Sequence, residues 1–364
     1  MKIIFITSNI NLPRVVRRIN EFIDRGYDAE VYYFDRTEFV NKSDKIKAPL
    51  HQIGEVSSAP SSYIKRIPSQ YKNIRRVVKQ YGGQEVVFYL FGIDIAILFP
   101  YGNSKYRFIY EESDLRHTYI KNRAAVRFFE FFDRKIIKRS LLTVFTSEGF
   151  CKYHFGENKP SNVAFITNRL SPNIKNYAVK EHKVFNADSI NIGFVGSPRY
   201  KAVCNFVRVL CDNYPQHEFH FYGEPIAENL EVLRKYGNCY FHGAFTNPQD
   251  LPDIYQNMDL VLATYDTDFE NVRFAEPNKL YEAMYFEVPI IVSSGTFLAD
   301  KVNRLGIGFD LDAYDDEAVK LFVNGITTAK IKEKVDSIKK VPKEMLLSIN
   351  DAVFEQLELL IKSV

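Results

Sequence analysis

The sequence predicts an α/β protein made of two doubly wound, mostly parallel sheets in succession. Three observations carry that expectation. The chain opens on an apolar run, Lys2-Ile-Ile-Phe-Ile-Thr7, that ends in a polar turn and leads into a helical pattern. The same grammar restarts at Ile190-Asn-Ile-Gly-Phe-Val-Gly196. The charge divides between the halves: residues 1–170 carry a net +11 and residues 171–364 a net −8, within a total of only +3.

The elements follow in order. After the first strand, apolar residues at helical spacing over 14–23 predict a helix, Arg25-Gly26-Tyr27 punctuates it, and 29–34 reads as a second strand. Further strands are expected at 86–91, 107–110 and 142–145, with helices at 69–81 and 115–139. In the latter, Ile120, Ala124, Phe128, Phe132 and Ile136 recur every four residues and predict the buried face. The second half offers strands at 190–196, 218–222, 239–242, 260–263 and 288–292. Helices are expected at 200–212, 227–236, 249–257 and 278–286. The polar stretch 168–186, with Pro172 and little periodicity, reads as a linker. The expected division is an N-terminal domain at 1–170, a linker at 171–189 and a C-terminal domain at 190–342. A helix over 343–364 is expected to pack back across the domain junction.

At 364 residues two domains are expected. With 46% hydrophobic and 26% charged residues, disorder is excluded. The longest apolar stretch, from Val86 to Phe99, falls short of the roughly 20 residues of a membrane span. No leader peptide is expected from MKIIFITSNINLP. Cys151, Cys204, Cys211 and Cys239 lack the C-x-x-C spacing and read as reduced cytosolic thiols. Neither those cysteines nor the seven histidines, His217 and His220 included, show zinc-ligand spacing. No G-x-G-x-x-G fingerprint is present. Nucleic-acid binding is disfavoured: the basic residues sit in one half and no recognition motif accompanies them.

The most informative stretch runs Asn271 to Pro289, NVRFAEPNKLYEAMYFEVP. Pro277 suits the first position of a helix. Asn278, Lys279 and Leu280 follow, and free N–H groups beside Lys279 make an anion site suited to a diphosphate. Glu282, one turn further, can accept two hydrogen bonds from a ribose diol. A capped surface helix with a solvated Lys/Glu pair fits the same residues.

The run Pro277-Asn278-Lys279-Leu280-Tyr281-Glu282-Ala283-Met284, followed by Val288-Pro289-Ile290-Ile291, resembles the donor-site signature of GT-B glycosyltransferases. The similarity is to the retaining, nucleotide-sugar-dependent group that builds bacterial capsule, lipopolysaccharide and exopolysaccharide. Phe241-His-Gly243-Ala-Phe245 resembles that family's nucleobase-side loop, and Thr146-Ser-Glu-Gly-Phe150 its segment near the end of the first domain. The resemblance implies two Rossmann-like β/α/β domains facing across a cleft. It also implies a nucleotide-sugar donor and a saccharide or lipid-linked acceptor. On the donor side it assigns Glu282 to the ribose and Gly196, Arg199 and Lys201 to the diphosphate turn, whose cations would stabilise the leaving group with no metal or cofactor required. The family usually carries two glutamates eight positions apart, but Phe274 stands eight before Glu282. Either Glu276 reaches the sugar from a shifted loop, or backbone N–H groups of that loop do so.

On the acceptor side, Tyr110-Glu-Glu-Ser-Asp-Leu-Arg-His117 follows a strand, where a cleft is expected. Glu112, Asp114 and His117 are the candidates to orient or deprotonate an acceptor hydroxyl, with a helix cap at Ser113 or Asp114 as the plain alternative. Arg14 is available to an acceptor phosphate. The basic amphipathic segments at 69–81 and 115–139 suit either a core helix with a solvated face or peripheral contact with an anionic membrane. The expected location is cytoplasmic, at the inner face of the cell membrane. A nucleotide-sugar epimerase and a non-catalytic member of a polysaccharide assembly complex are the competing functions.

Overall fold

The structure is a computed structural model that describes residues 1–36, 45–56, 63–179, 186 and 188–362. The chain divides into two compact units. One comprises Met1–Ile166 with Asn350–Val364, the other Thr167–Ile349.

The first unit holds seven strands: β1 (Lys2–Thr7), β2 (Asp28–Asp35), β3 (Leu50–Glu55), β4 (Val86–Phe91), β5 (Arg107–Glu112), β6 (Leu142–Phe145) and β7 (Val163–Phe165). They form one sheet in the order β3-β2-β1-β4-β5-β6-β7, with every pair parallel. The order reverses direction at β1, so the loops after β1 and β4 diverge at the sheet's carboxyl edge, where doubly wound folds bind ligands. The helix Pro13–Asp24 buries Val15, Val16, Ile19 and Phe22 against this sheet.

The second unit has six strands: β8 (Asn191–Val195), β9 (Glu218–Tyr222), β10 (Cys239–Phe241), β11 (Leu260–Ala263), β12 (Ile290–Ser293) and β13 (Gly308–Leu311). Their order is β10-β9-β8-β11-β12-β13, again all parallel. Alternate residues feed two cores. Leu260 and Leu262 enter one, Val261 and Ala263 the other. A strand buried on both faces must read as a continuous apolar run, which is why LVLA could be recognised.

Several expectations are corrected in detail. The segment 115–139 is not one helix: a 3-10 turn, Arg116–Tyr119, precedes the helix Arg123–Arg139, whose start is capped by Asn122 accepting from Ala124 and Ala125 N–H. The face of that helix also differs from expectation. Asp133, Ile136 and Ile137 are buried, whereas Phe128 is 54% exposed. The helix read as starting at Ser69 begins at Tyr63 and contains Pro68. The stretch 343–364 is broken: a 3-10 turn, Lys343–Leu346, belongs to the second unit, and the helix Asp351–Lys362 belongs to the first. There Phe354 meets Phe22 edge-on at 4.7 Å, and the Arg25 guanidinium sits 4.1 Å above the Phe354 ring. Part of the linker, residues 180–185 and 187, lies outside the described residues.

Candidate active site

The carboxyl edge of the second sheet is lined by glycines for steric reasons. Gly223, after β9, has φ +131, and a Cβ there would stand 2.4 Å from the carbonyl oxygen of Gly196. The Gly223 N–H donates to the Gly243 carbonyl at 2.7 Å, and the Gly196 N–H to that of Tyr222 at 2.7 Å. The turns after β8, β9 and β10 are thereby laced together.

The helix Asn278–Tyr285 starts beside these turns. Its N-cap is Pro277, one residue earlier than expected for the helix itself, and no side chain caps it. Asn278 is exposed, while Leu280 is buried in the core. Lys279 reaches back under the β8 turn. Its Nζ donates to Tyr265 Oη at 3.3 Å and lies 4.2 Å from the Phe194 ring centroid. Desolvation there lowers its pKa to about 8. Glu282 opposes the shift and Arg199 adds to it.

Glu282 is 5% exposed. Tyr255 Oη donates to its Oε2 at 2.9 Å, and Asn247 Nδ2 to its Oε1 at 3.4 Å. Burial raises its pKa, with Tyr255, Lys279 and Asn247 pulling the other way. A buried carboxylate with two donors is a held acceptor, not the solvated partner of a surface Lys/Glu pair. Arg199 is exposed and donates to Tyr200 Oη at 3.2 Å. Lys201 is the first residue of the helix Lys201–Asn213 and is also exposed.

Glu276 is 1% exposed and pairs with Lys301 Nζ, while Tyr281 Oη lies 3.4 Å from its Oε2. Asn168 Nδ2 donates to the Glu276 carbonyl at 2.8 Å. The Glu276 carboxylate is therefore held down inside the second unit. Asn271 is buried, and Arg273 is exposed, donating to the Thr267 carbonyl at 2.8 Å.

The acceptor-side candidates separate. Glu112, at the end of β5, is 1% exposed and His117 is 2% exposed. Both face inward toward Asp133 and His154, so neither presents an atom to a substrate at the surface. Glu112 Oε2 lies 2.9 Å from His154 Nε2, and His117 Nδ1 lies 3.7 Å from Asp133 Oδ2. Burial raises the Glu112 pKa to about 8 and lowers that of His117 to about 4. Asp114 is different: its side chain is 38% exposed and its Oδ2 accepts from Arg14 at 2.9 Å. It lines a pocket at the carboxyl edge of the first sheet with Ser8, Asn9, Arg14, Gly92 and Arg116. Arg116 is oriented by Asp94 at 2.9 Å. Sequence reading missed Tyr255 and Asn247, which hold Glu282. Tyr255 lay within a recognisable helix pattern, but nothing in that pattern points a hydroxyl at residue 282.

Residues 189–324 match the family model described as Glycosyl transferases group 1. No curated protein matches the sequence. Among solved structures, sucrose-phosphate synthase from Thermosynechococcus elongatus is similar at a TM-score of 0.68 and 13% identity, over 100% of this chain and 98% of that one. HepE from Anabaena, in complex with UDP and glucose, gives the same TM-score of 0.68 and 13% identity over the whole of both chains. The lipopolysaccharide outer core galactosyltransferase WaaB gives 0.67 and 16%, over 100% and 99%. At such identities the likeness is one of fold. Residues 189–324 thus match the group 1 glycosyltransferase model, and the chain as a whole has the two-sheet fold of these glycosyltransferase structures.

Proposed function

We propose that this protein transfers a hexosyl group from a nucleoside-diphosphate sugar to a saccharide or lipid-linked acceptor, with retention, in the assembly of a bacterial surface polysaccharide. The observation that supports it most is the placement of Glu282 and Lys279 on one short helix. One carboxylate is buried, held by Tyr255 and Asn247 and poised to accept from a ribose diol. One turn earlier an ammonium sits beneath the glycine turn of β8. In this reading Lys279, Arg199 and Lys201 supply positive charge to a diphosphate leaving group as the glycosidic bond breaks. Fixed cations can stabilise that charge without a metal ion.

UDP is the favoured nucleotide, because structural neighbours were solved with UDP, UDP-glucose and UDP-2-fluoro glucose. In this reading Asp114, with Arg14 and Arg116 beside it, meets the acceptor at the carboxyl edge of the first sheet.

The protein is further proposed to act at the cytoplasmic face of an anionic membrane. No described helix is long and apolar enough to cross one. The helix Arg123–Arg139 instead exposes Phe128 and Phe131, each 54% accessible, among exposed Arg127, Arg134, Lys135 and Lys138. Apolar rings set among cations are the composition of an interfacial helix.

The test is calorimetry and thermal shift with UDP, GDP, CDP, ADP and NAD, on the wild type and on Glu282→Ala and Glu282→Gln. One nucleoside diphosphate should bind and should weaken in both variants. No nucleotide binding by folded protein would overturn the donor-site reading. Turnover of a nucleotide sugar without any acceptor would point to an epimerase.

A further inference from the structure

Strand β5 ends in Tyr110-Glu111-Glu112, and its alternation sends neighbouring side chains to opposite faces of the sheet. Glu111 has one oxygen satisfied, its Oε2, while its Oε1 is buried without a hydrogen-bond partner. It accepts from Arg18 Nε at 2.9 Å and from the Tyr89 hydroxyl. Glu112, on the other face, pairs with no arginine or lysine among the described residues. It meets His154, whose Nε2 lies 2.9 Å from Oε2 and 3.2 Å from Oε1. Asp133 Oδ2 is 3.9 Å from the same His154 Nε2 and 3.7 Å from His117 Nδ1. The four side chains are at most 1% exposed.

Their hydrogen-bonding capacity is partly unused. Both ring nitrogens of His117 and Nδ1 of His154 are buried without a hydrogen-bond partner, and the Asp133 carboxyl interacts with the Tyr110 hydroxyl and the Glu112 carboxyl. Buried polar groups are normally satisfied, because each one left unmet costs on the order of 1–3 kcal/mol. Such groups gathered beside two carboxyls call for an occupant.

The donors define it. One ligand atom each from Glu112, Asp133 and His154 lie within 4.8 Å of one another. Atoms bound to a common ion at about 2.0–2.2 Å stand no more than about 4.4 Å apart. The separations of 2.9 and 3.9 Å already fall in that range. An imidazole with two carboxylates suits zinc-class ions, whereas magnesium and calcium favour all-oxygen shells that retain water.

We propose that Glu112, Asp133 and His154 form a buried structural site for one divalent transition ion of the zinc class, with His117 alongside at 3.7 Å from Asp133. The ion would tie β5, the helix Arg123–Arg139 and the helix Glu148–Phe155 together behind the Asp114 pocket. It is separate from the proposed donor site, whose cations are Lys279, Arg199 and Lys201.

The test uses the full chain, stripped with a chelator, dialysed and titrated with Co²⁺. His220 and His242 approach within 3.0 Å on the second unit and could also take cobalt, so His242→Ala serves as the background. About one cobalt per chain, with visible d–d absorption that Zn²⁺ abolishes and a raised melting temperature, is expected. Asp133→Asn and His154→Gln, checked for folding by circular dichroism, should lose the absorption. A folded chain that binds no cobalt in the His242→Ala background would overturn the proposal. So would a cobalt spectrum that persists unchanged in a folded Asp133→Asn variant.

Discussion

The Nζ of Lys279 lies 3.3 Å from the point where a Cβ on Gly196 would stand. Gly196 also has φ +115, a conformation that side-chain-bearing residues rarely adopt. The turn after β8 and the ammonium from the helix Asn278–Tyr285 are therefore built around the absence of one methyl group. Gly196→Ala should cost about 1–2 kcal/mol in stability from the backbone alone. Displacement of Lys279 should lower nucleotide affinity by roughly tenfold. Chemical denaturation and calorimetry on the same sample would check both. Unchanged affinity would mean that the ammonium does not meet the ligand.

The lowered pKa of Lys279 makes nucleotide binding pH-dependent. Its value of about 8 in the fold, against 10.5 ordinarily, means that the neutral amine predominates above pH 8. An anion binds the protonated form, so affinity should hold up to about pH 7.5 and fall as pH rises through 8, by at most about tenfold per unit. Stability of the unliganded protein carries the opposite sign. Between pH 8 and 10.5 the unfolded chain holds the proton that the folded chain has released, so this residue's contribution to stability rises with pH. Calorimetry from pH 6.5 to 9.5 on the wild type and Lys279→Met tests the first effect. The fall should vanish in the variant.

How much of this was legible depends on whether the signal was local. The strand Asn191–Val195 with its glycine turn, and the run from Pro277 to Glu282, are short contiguous patterns whose meaning lies in adjacent residues. They could be placed to within a residue or two. Strands β3, β7 and β13 were not foreseen. LHQIGE at β3 is a half-exposed edge without an apolar run, and VAF and GFDL are too short to show a period. The acceptor side is less legible for a different reason. Glu112 and Asp114 are two residues apart in a polar stretch that looks uniformly suited to a cleft, yet one is 1% exposed and the other has left the strand and reaches solvent. Only the long-range partners distinguish them: Asp133 and His154 from two later helices, and Arg14 from the first. The same holds for Glu282, whose role rests on a hydroxyl 27 positions away. The spread of Glu112, Asp133 and His154 along the chain likewise matches no recognisable ligand spacing, although the fold gathers them.

The exposed rings of the helix Arg123–Arg139 lead to a membrane prediction. Lys135 Nζ lies 4.3 Å from the Phe131 ring centroid, so the aromatic and basic groups form one contiguous surface. Co-sedimentation with vesicles containing anionic lipid should exceed that with neutral vesicles and should weaken with salt. Phe128→Ser combined with Phe131→Ser should reduce it by about tenfold, with little loss of stability because both positions are exposed. Equal partition to neutral and anionic vesicles, or no effect of the double change, would count against the interfacial role.

The last prediction concerns Asp114. Its carboxylate is the acidic group of the three expected on this side that reaches solvent, and Arg14 fixes it at 2.9 Å. Ser8, Asn9 and Arg116 around it supply hydroxyl, amide and guanidinium groups at the mouth of the first sheet. A carboxylate so placed can accept the proton of an attacking hydroxyl, a contribution of about 10²–10⁴ in rate. Asp114→Asn keeps the shape and a partial contact to Arg14 while removing that capacity. It should lower kcat by roughly that factor and leave nucleotide affinity unchanged, since the proposed donor residues all belong to the second unit. Arg14→Ala should instead raise KM for the acceptor more than it lowers kcat, because it positions the carboxylate and faces the same pocket. Were Asp114→Asn to retain full kcat, the proton acceptor would have to be sought elsewhere.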